Sequence, residues 1–201
     1  MIPSGMPPRS MFGFSFTQLL FVLNAKGLCS DSFLKEIEEA IRMIDSCQAD
    51  IRTEAQELSD KLFNKIPVIY SDAKYEGVSV RFRQQINENS KMLCWHNALP
   101  EMNHNELVGW VDANDKLAVI FFRNDDDYIR TIARMEYSAE VVKQVTPHIF
   151  YIHSKGNSQL ARTLYLVHIG DWISCFLADK KGIDAVEVNV ITKLKNKLAD
   201  A

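Results

Sequence analysis

Two short blocks concentrate the groups that acid–base chemistry needs. Gln84-Gln-Ile-Asn-Glu88-Asn-Ser-Lys91 carries a carboxylate among amides, and Leu99-Pro-Glu-Met-Asn-His104-Asn-Glu106 carries an imidazole between asparagines. A carboxylate and an imidazole in one cleft can divide the base and acid roles near neutral pH, because burial and neighbours push their pKa values apart. Taken singly, each has an ordinary reading. Glu88 suits the solvated last turn of a helix, and His104 suits the cap of a helix over Asn105–Val111. Both blocks lie near one end of a short strand expected at Met92–Trp95, and the direction of that strand decides how close they come.

The other polar groups carry less. His148 and His153 flank a strand, His168 sits on an apolar helix, and His96 follows Trp95. No pair has His-x-x-x-His spacing, so no metal is inferred. Asp125-Asp-Asp127 precedes a helix, where acidic side chains complement the dipole. Ser154-Lys-Gly-Asn-Ser158 is a strand-to-helix loop able to cradle an anion, yet it holds one glycine only. Neither a dinucleotide fingerprint, a Walker loop nor a nucleophile elbow is present, and no cofactor is implied.

These residues need a scaffold to hold them. Asp31 to Asn64 reads as one long helical pattern, bent near Ser46–Asp50. Apolar β-branched runs follow at Ile66–Tyr70, Met92–Trp95, Leu117–Phe122 and His148–Ile152. Helices are expected over Tyr75–Asn89, His104–Trp110, Asp126–Val145, Ser158–Ala178 and Asp184–Leu198. Short continuous apolar strands alternating with helices predict a three-layer α/β/α sandwich on a mainly parallel sheet, helix-rich and in one domain over 1–201. Ligands of such sheets sit beyond the carboxyl ends of the strands, which points to residues after Tyr70, Trp95, Phe122 and Ile152.

Composition narrows the class. With 23 basic and 26 acidic side chains the net charge is −3, which argues against a nucleic-acid binder. The cysteines Cys29, Cys47, Cys94 and Cys175 are scattered without a CxxC pair and read as reduced, cytoplasmic thiols. Met11 to Leu28 is the most apolar stretch, but Ser15, Thr17, Gln18, Asn24 and Lys26 interrupt it. It reads as a buried amphipathic helix, not a membrane span or secretory signal. Ahead of it, Ile2-Pro-Ser-Gly-Met-Pro-Pro-Arg9 is a rigid, turn-rich lead-in.

Four stretches, in order along nearly the whole chain, resemble the carboxy-terminal half of the bifunctional phosphoglucose/phosphomannose isomerases, a family of sugar isomerase (SIS) domain proteins. They are Ile2–Ser10; Tyr75-Glu-Gly-Val with Gln85-Ile-Asn-Glu-Asn-Ser-Lys91; Leu99–Trp110; and Leu160-Ala-Arg with Gly170–Ala178. The resemblance implies aldose–ketose isomerisation of a hexose 6-phosphate through an enediol(ate), without metal or cofactor. It assigns Glu88 to proton transfer between the first two carbons and His104, reaching in from a partner subunit, to ring opening. Arg9 is implied as the stabiliser of the enediolate, and a lysine of the last helix as an aid to ring opening. Phase favours Lys195, four residues after Ile191 and three before Leu198 on the inward face, over Lys193. Lys195 as a complement to the helix C-terminus is an equally good reading.

The sequence departs from the family in two places. The Ser/Thr-rich loop that holds the sugar phosphate in the first SIS half is not found here, and Arg9's lead-in resembles the middle of the family's chain. An amino-terminal SIS half is therefore expected in cis or in trans, alongside a homodimer of the chain itself. Asp184-Ala-Val186 stands where a threonine is expected, which bears on the choice between glucose and mannose. The alternative to an enzyme is a non-catalytic SIS-like module that binds a sugar phosphate or a partner.

Overall fold

The computed structural model describes residues 3–199. A 3₁₀ turn at Pro8–Met11 leads into helix α1 (Phe12–Ala25), followed by α2 (Ser32–Leu62). Then come β1 (Ile66–Asp72), α3 (Glu76–Ser90), β2 (Trp95–Leu99), β3 (Leu117–Arg123), α4 (Ile129–Lys143), β4 (Ile149–His153), α5 (Gln159–Lys181) and α6 (Asn189–Ala199). All strand pairs are parallel, in the order β2-β1-β3-β4.

Side-chain alternation along the strands makes two cores. Ile69, Ala118, Ile120, Phe122 and Ile152 face α2, α3 and α5, where they meet Ile51, Phe82, Ile86, Tyr165 and Ile173. Val68, Tyr70, Val119 and Phe121 face the other way, onto Leu99, Met102, Trp110 and the Met135 and Val142 side of α4. The three-layer sandwich expected from the apolar runs is thus present, and β1 and β3 are buried on both sides.

Four expectations are corrected. Helix α2 runs unbroken, because Ser46 and Asp50 lie on its solvent face while Ile44, Cys47 and Ile51 stay on the core side. The strand read at Met92–Trp95 begins only at Trp95, opposite Val68. Residues 91–94 instead close α3: Lys91 adopts a left-handed conformation (φ 50°), and the Met92 amide returns to Ile86 O at 3.4 Å. Residues 101–109 form two 3₁₀ turns in place of a helix, the second capped by the Asn105 side chain and not by His104. Helix α1 forms but buries none of its residues, and it lies over an apolar groove of about 610 Å³ shared with α2 and α5. Among the described residues no helix is long and apolar enough to cross a membrane.

Candidate active site

Helix α3 leaves the carboxyl end of β1 and runs back along the sheet, so its last turn, with Glu88, reaches the amino-terminal end of the strands. Helix α5 does the same after β4, and the chain beyond it, Ile183–Val188, arrives beside that turn. Arg9 bridges the two. Its Nη1 donates to Glu88 Oε2 at 3.2 Å, its Nε to Asn89 Oδ1 at 2.7 Å, and its Nη2 to the carbonyls of Ala185 (2.6 Å) and Val186 (3.2 Å). Arg9 lies in the lead-in, outside any α-helix, yet its side chain is only 13% exposed against 38% for Glu88. Its backbone is tied as well: Arg81 Nη2 donates to Arg9 O at 3.1 Å and to Asp171 Oδ2 at 2.7 Å. Lys91 closes the rim, its ammonium donating to Glu88 O (2.9 Å) and Asp184 O (2.8 Å).

This arrangement sets a part-exposed carboxylate against a fixed, permanently charged fork. A carboxylate so placed can take and return a proton, and the guanidinium beside it can meet negative charge that develops on a ligand's oxygen. The pair lies at the amino-terminal end of the sheet, not the carboxyl end that the open-sheet rule indicated. The carboxyl end is filled from within. Arg162, 8% exposed, donates to Tyr75 Oη (3.0 Å) and Gly156 O (3.0 Å) and pairs with Asp126 (2.9 Å). Burial pushes the Tyr75 hydroxyl up to about 12, and it donates to Asp126 at 2.9 Å.

His104 does not join Glu88. It sits on the 101–110 segment, which packs on the α4 face of the sheet, whereas Glu88 belongs to the opposite layer. The two blocks are split between faces because the intervening strand starts later than the apolar run, and the chain crosses faces after it. His104 is exposed, but its segment is firmly held. The Glu106 carboxylate accepts from the Tyr70 hydroxyl, from Trp95 Nε1 at 3.0 Å and from Asn97 Nδ2 at 2.8 Å, and Asn103 Nδ2 donates to Ser138 Oγ at 2.8 Å. Leu93, Trp95, Val108 and Val111, before, on and after the edge strand β2, present apolar surface to solvent.

Lys195 is corrected in placement. Val190, Ile191, Leu194 and Leu198 do form the apolar stripe that phase indicated, but every described residue of α6 is exposed, Lys195 and Lys193 included. The four cysteines are free thiols, and burial lifts the Cys94 thiol to about 12, so it is un-ionised near neutral pH.

Three contributors to the Arg9 site escaped the sequence reading. Asn89 lay inside a block already singled out, but its role shows only once Arg9 lies against it across 80 positions of chain. Ala185 and Val186 drew notice only as a departure in side-chain type, whereas they act through main-chain carbonyls that any residue supplies.

The model of the bacterial phospho-glucose isomerase C-terminal SIS domain matches residues 51–198. The chain belongs to that family. As relatives of the SIS domain, the bifunctional phosphoglucose/phosphomannose isomerase of Aquifex aeolicus is 33% identical over 98% of this chain and 60% of its own length, and that of Caldicellulosiruptor bescii 34% identical over 99% and 62%. The chain thus spans about 60% of the length of these relatives. In fold, the SIS domain is similar to a glucose-6-phosphate isomerase like protein from Thermus thermophilus. That match has a TM-score of 0.64 at 17% identity and covers 88% of this chain and 59% of the other.

Proposed function

We propose that this chain is the carboxy-terminal SIS domain of a cytoplasmic isomerase that interconverts glucose 6-phosphate or mannose 6-phosphate with fructose 6-phosphate. The observation that carries the reading is the Arg9 fork seated on Glu88 at 3.2 Å, in a chain whose relatives bear that activity in their names. Glu88 would take the proton from C2 of the open-chain aldose, leaving an enediolate, and return it to C1 while the O2 hydroxyl proton passes to O1, to give the ketose. The Nη1 edge of Arg9 would face the oxygen on which charge develops, where one such donor is worth about 10²–10³ in rate.

The partner's His104 would move the protons of ring opening. This use accounts for an exposed imidazole on a firmly held segment, in a chain that also exposes Leu93, Trp95, Val108 and Val111 before, on and after the edge strand β2. In a two-fold dimer each copy would lend one imidazole and receive one. Lys195 would assist once α6 has settled its apolar stripe on a neighbouring surface. The sugar phosphate would be held by a second SIS half, since the carboxyl end of this sheet is filled by Arg162 and Asp126.

The 201 residues alone are expected to show negligible conversion of fructose 6-phosphate in a coupled glucose-6-phosphate assay. With a phosphate-binding SIS half supplied, in cis or in trans, turnover should appear. Robust turnover by the chain alone would overturn the division of labour. No turnover with the half supplied would instead favour a non-catalytic binding module.

A further inference from the structure

Arg9 can donate five N–H bonds. Nε–H goes to Asn89 Oδ1, both Nη2 hydrogens to the carbonyls of Ala185 and Val186, and one Nη1 hydrogen to Glu88. The second Nη1 hydrogen has no acceptor among the described residues, and it sits on the nitrogen beside Glu88. The Nε and Nη2 nitrogens are therefore held by three neutral acceptors, and among the described residues the only charged acceptor of the fork is Glu88. Two of the three neutral acceptors are main-chain carbonyls of a loop. The third, Asn89, is built in: it is 6% exposed, and its Nδ2 donates at 2.9 Å to the fully buried Ser174 Oγ. The Ser174 hydroxyl in turn donates to Asp171 O at 2.8 Å, so it is free to accept from Asn89, and the amide can face only one way.

We propose that Asn89 is a positioning residue for Arg9: a neutral tether that fixes the guanidinium fork with its Nη1 edge on Glu88 and leaves the fork's positive charge for the enediolate oxygen. This rests on the reading in which Glu88 is the base and Arg9 the charge stabiliser. An amide suits this post in a way that a carboxylate does not. Aspartate at 89 would accept the same Nε bond, more strongly, but it would neutralise the charge that the enediolate needs. Turning the Ser174 hydroxyl from Asp171 O to the new carboxylate would give it a donor, and the Arg9 guanidinium its counter-charge.

The test compares Asn89→Asp, Asn89→Ala and Glu88→Gln in the chain with its phosphate-binding SIS half supplied. Asn89→Asp should melt at or above the wild-type temperature, with kcat down about tenfold or more and KM within about twofold, since the interaction lost is one made in the transition state. Asn89→Ala, which removes the tether without adding charge, should also lower kcat at unchanged KM. Wild-type kcat in Asn89→Asp, with Glu88→Gln inactive, would reduce Asn89 to a structural residue and leave Glu88 as the base. Full activity in Glu88→Gln would overturn the reading and this inference with it. Should Asn89→Asp fail to fold, wild-type kcat per folded molecule in Asn89→Ala overturns the inference alone.

Discussion

Replacing Glu88 by glutamine should abolish isomerisation while leaving the protein folded. The substitution keeps an oxygen that can accept the Arg9 Nη1 bond, and the 38%-exposed side chain needs no repacking. What it removes is the group's ability to hold a proton and give it back. A positioned base contributes about 10²–10⁴ in rate, so kcat for fructose 6-phosphate should fall by at least about a hundredfold, with KM little changed. Solvent deuterium offers a second readout. Enzyme with glutamate at 88 should wash label into the sugar at the carbon that exchanges its proton, and the glutamine variant should not. Unchanged turnover or unchanged labelling would remove Glu88 from its role.

The largest loss of stability is expected at the opposite end of the sheet, in Arg162→Met. Arg162 ties α5 to three other segments at once: Tyr75 after β1, Asp126 after β3, and Gly156 after β4. Removing Arg162 takes from Asp126 the nearer of its two counter-charges, at 2.9 Å, and leaves Lys74 at 3.2 Å. A fully buried carboxylate left with no partner would cost about 3–5 kcal/mol, and the one-third exposure of Asp126 and its remaining lysine place the expectation below that range. The loss should appear as a lower urea midpoint at neutral pH. It should also depend on pH. Burial raises the Asp126 carboxyl, but bonds from Tyr75, Lys74 and Arg162 outweigh that and hold it below its ordinary range. A carboxyl depressed in the folded state stabilises fully above its unfolded pKa of about 3.9, and the effect fades as pH falls through the folded value. The gap between wild type and Arg162→Met should therefore narrow in acid. A midpoint equal to wild type at neutral pH would contradict the account.

The layers of the fold are written plainly in the sequence, because the runs at Ile66 and Leu117 are apolar on both faces, as covered parallel strands are. Strand β2 was harder. It is an edge strand whose Trp95 and His96 are half open, while the more apolar Met92–Cys94 is used to close α3. Helix α1 has the composition of a buried element, yet its surface meets a groove and not a core, and composition carries no information on what an apolar helix meets. Of the site, Glu88, His104 and Arg9 stood out through their motif blocks. Their grouping did not, since Arg9 and Glu88 are 79 positions apart and meet only because α3 runs antiparallel to its strand. The separation of His104 from them follows from the face on which the 101–110 segment packs. That choice is made by long-range contacts such as Trp110 Nε1 to Tyr70 Oη at 3.1 Å.

That separation is also the point on which the account is most exposed, and mixing two inactive variants tests it directly. Glu88→Gln and His104→Asn, each joined by a phosphate-binding SIS half, should both be nearly inactive as purified dimers. Unfolded, mixed and refolded together, half of the dimers formed at random carry one chain of each kind. If Glu88 and Arg9 of one chain work with the partner's His104, each mixed dimer regenerates one intact site, and activity should return to about a quarter of wild type. Recovery to that level is the predicted result. A mixture as inactive as its components would contradict a site shared between two copies of the chain.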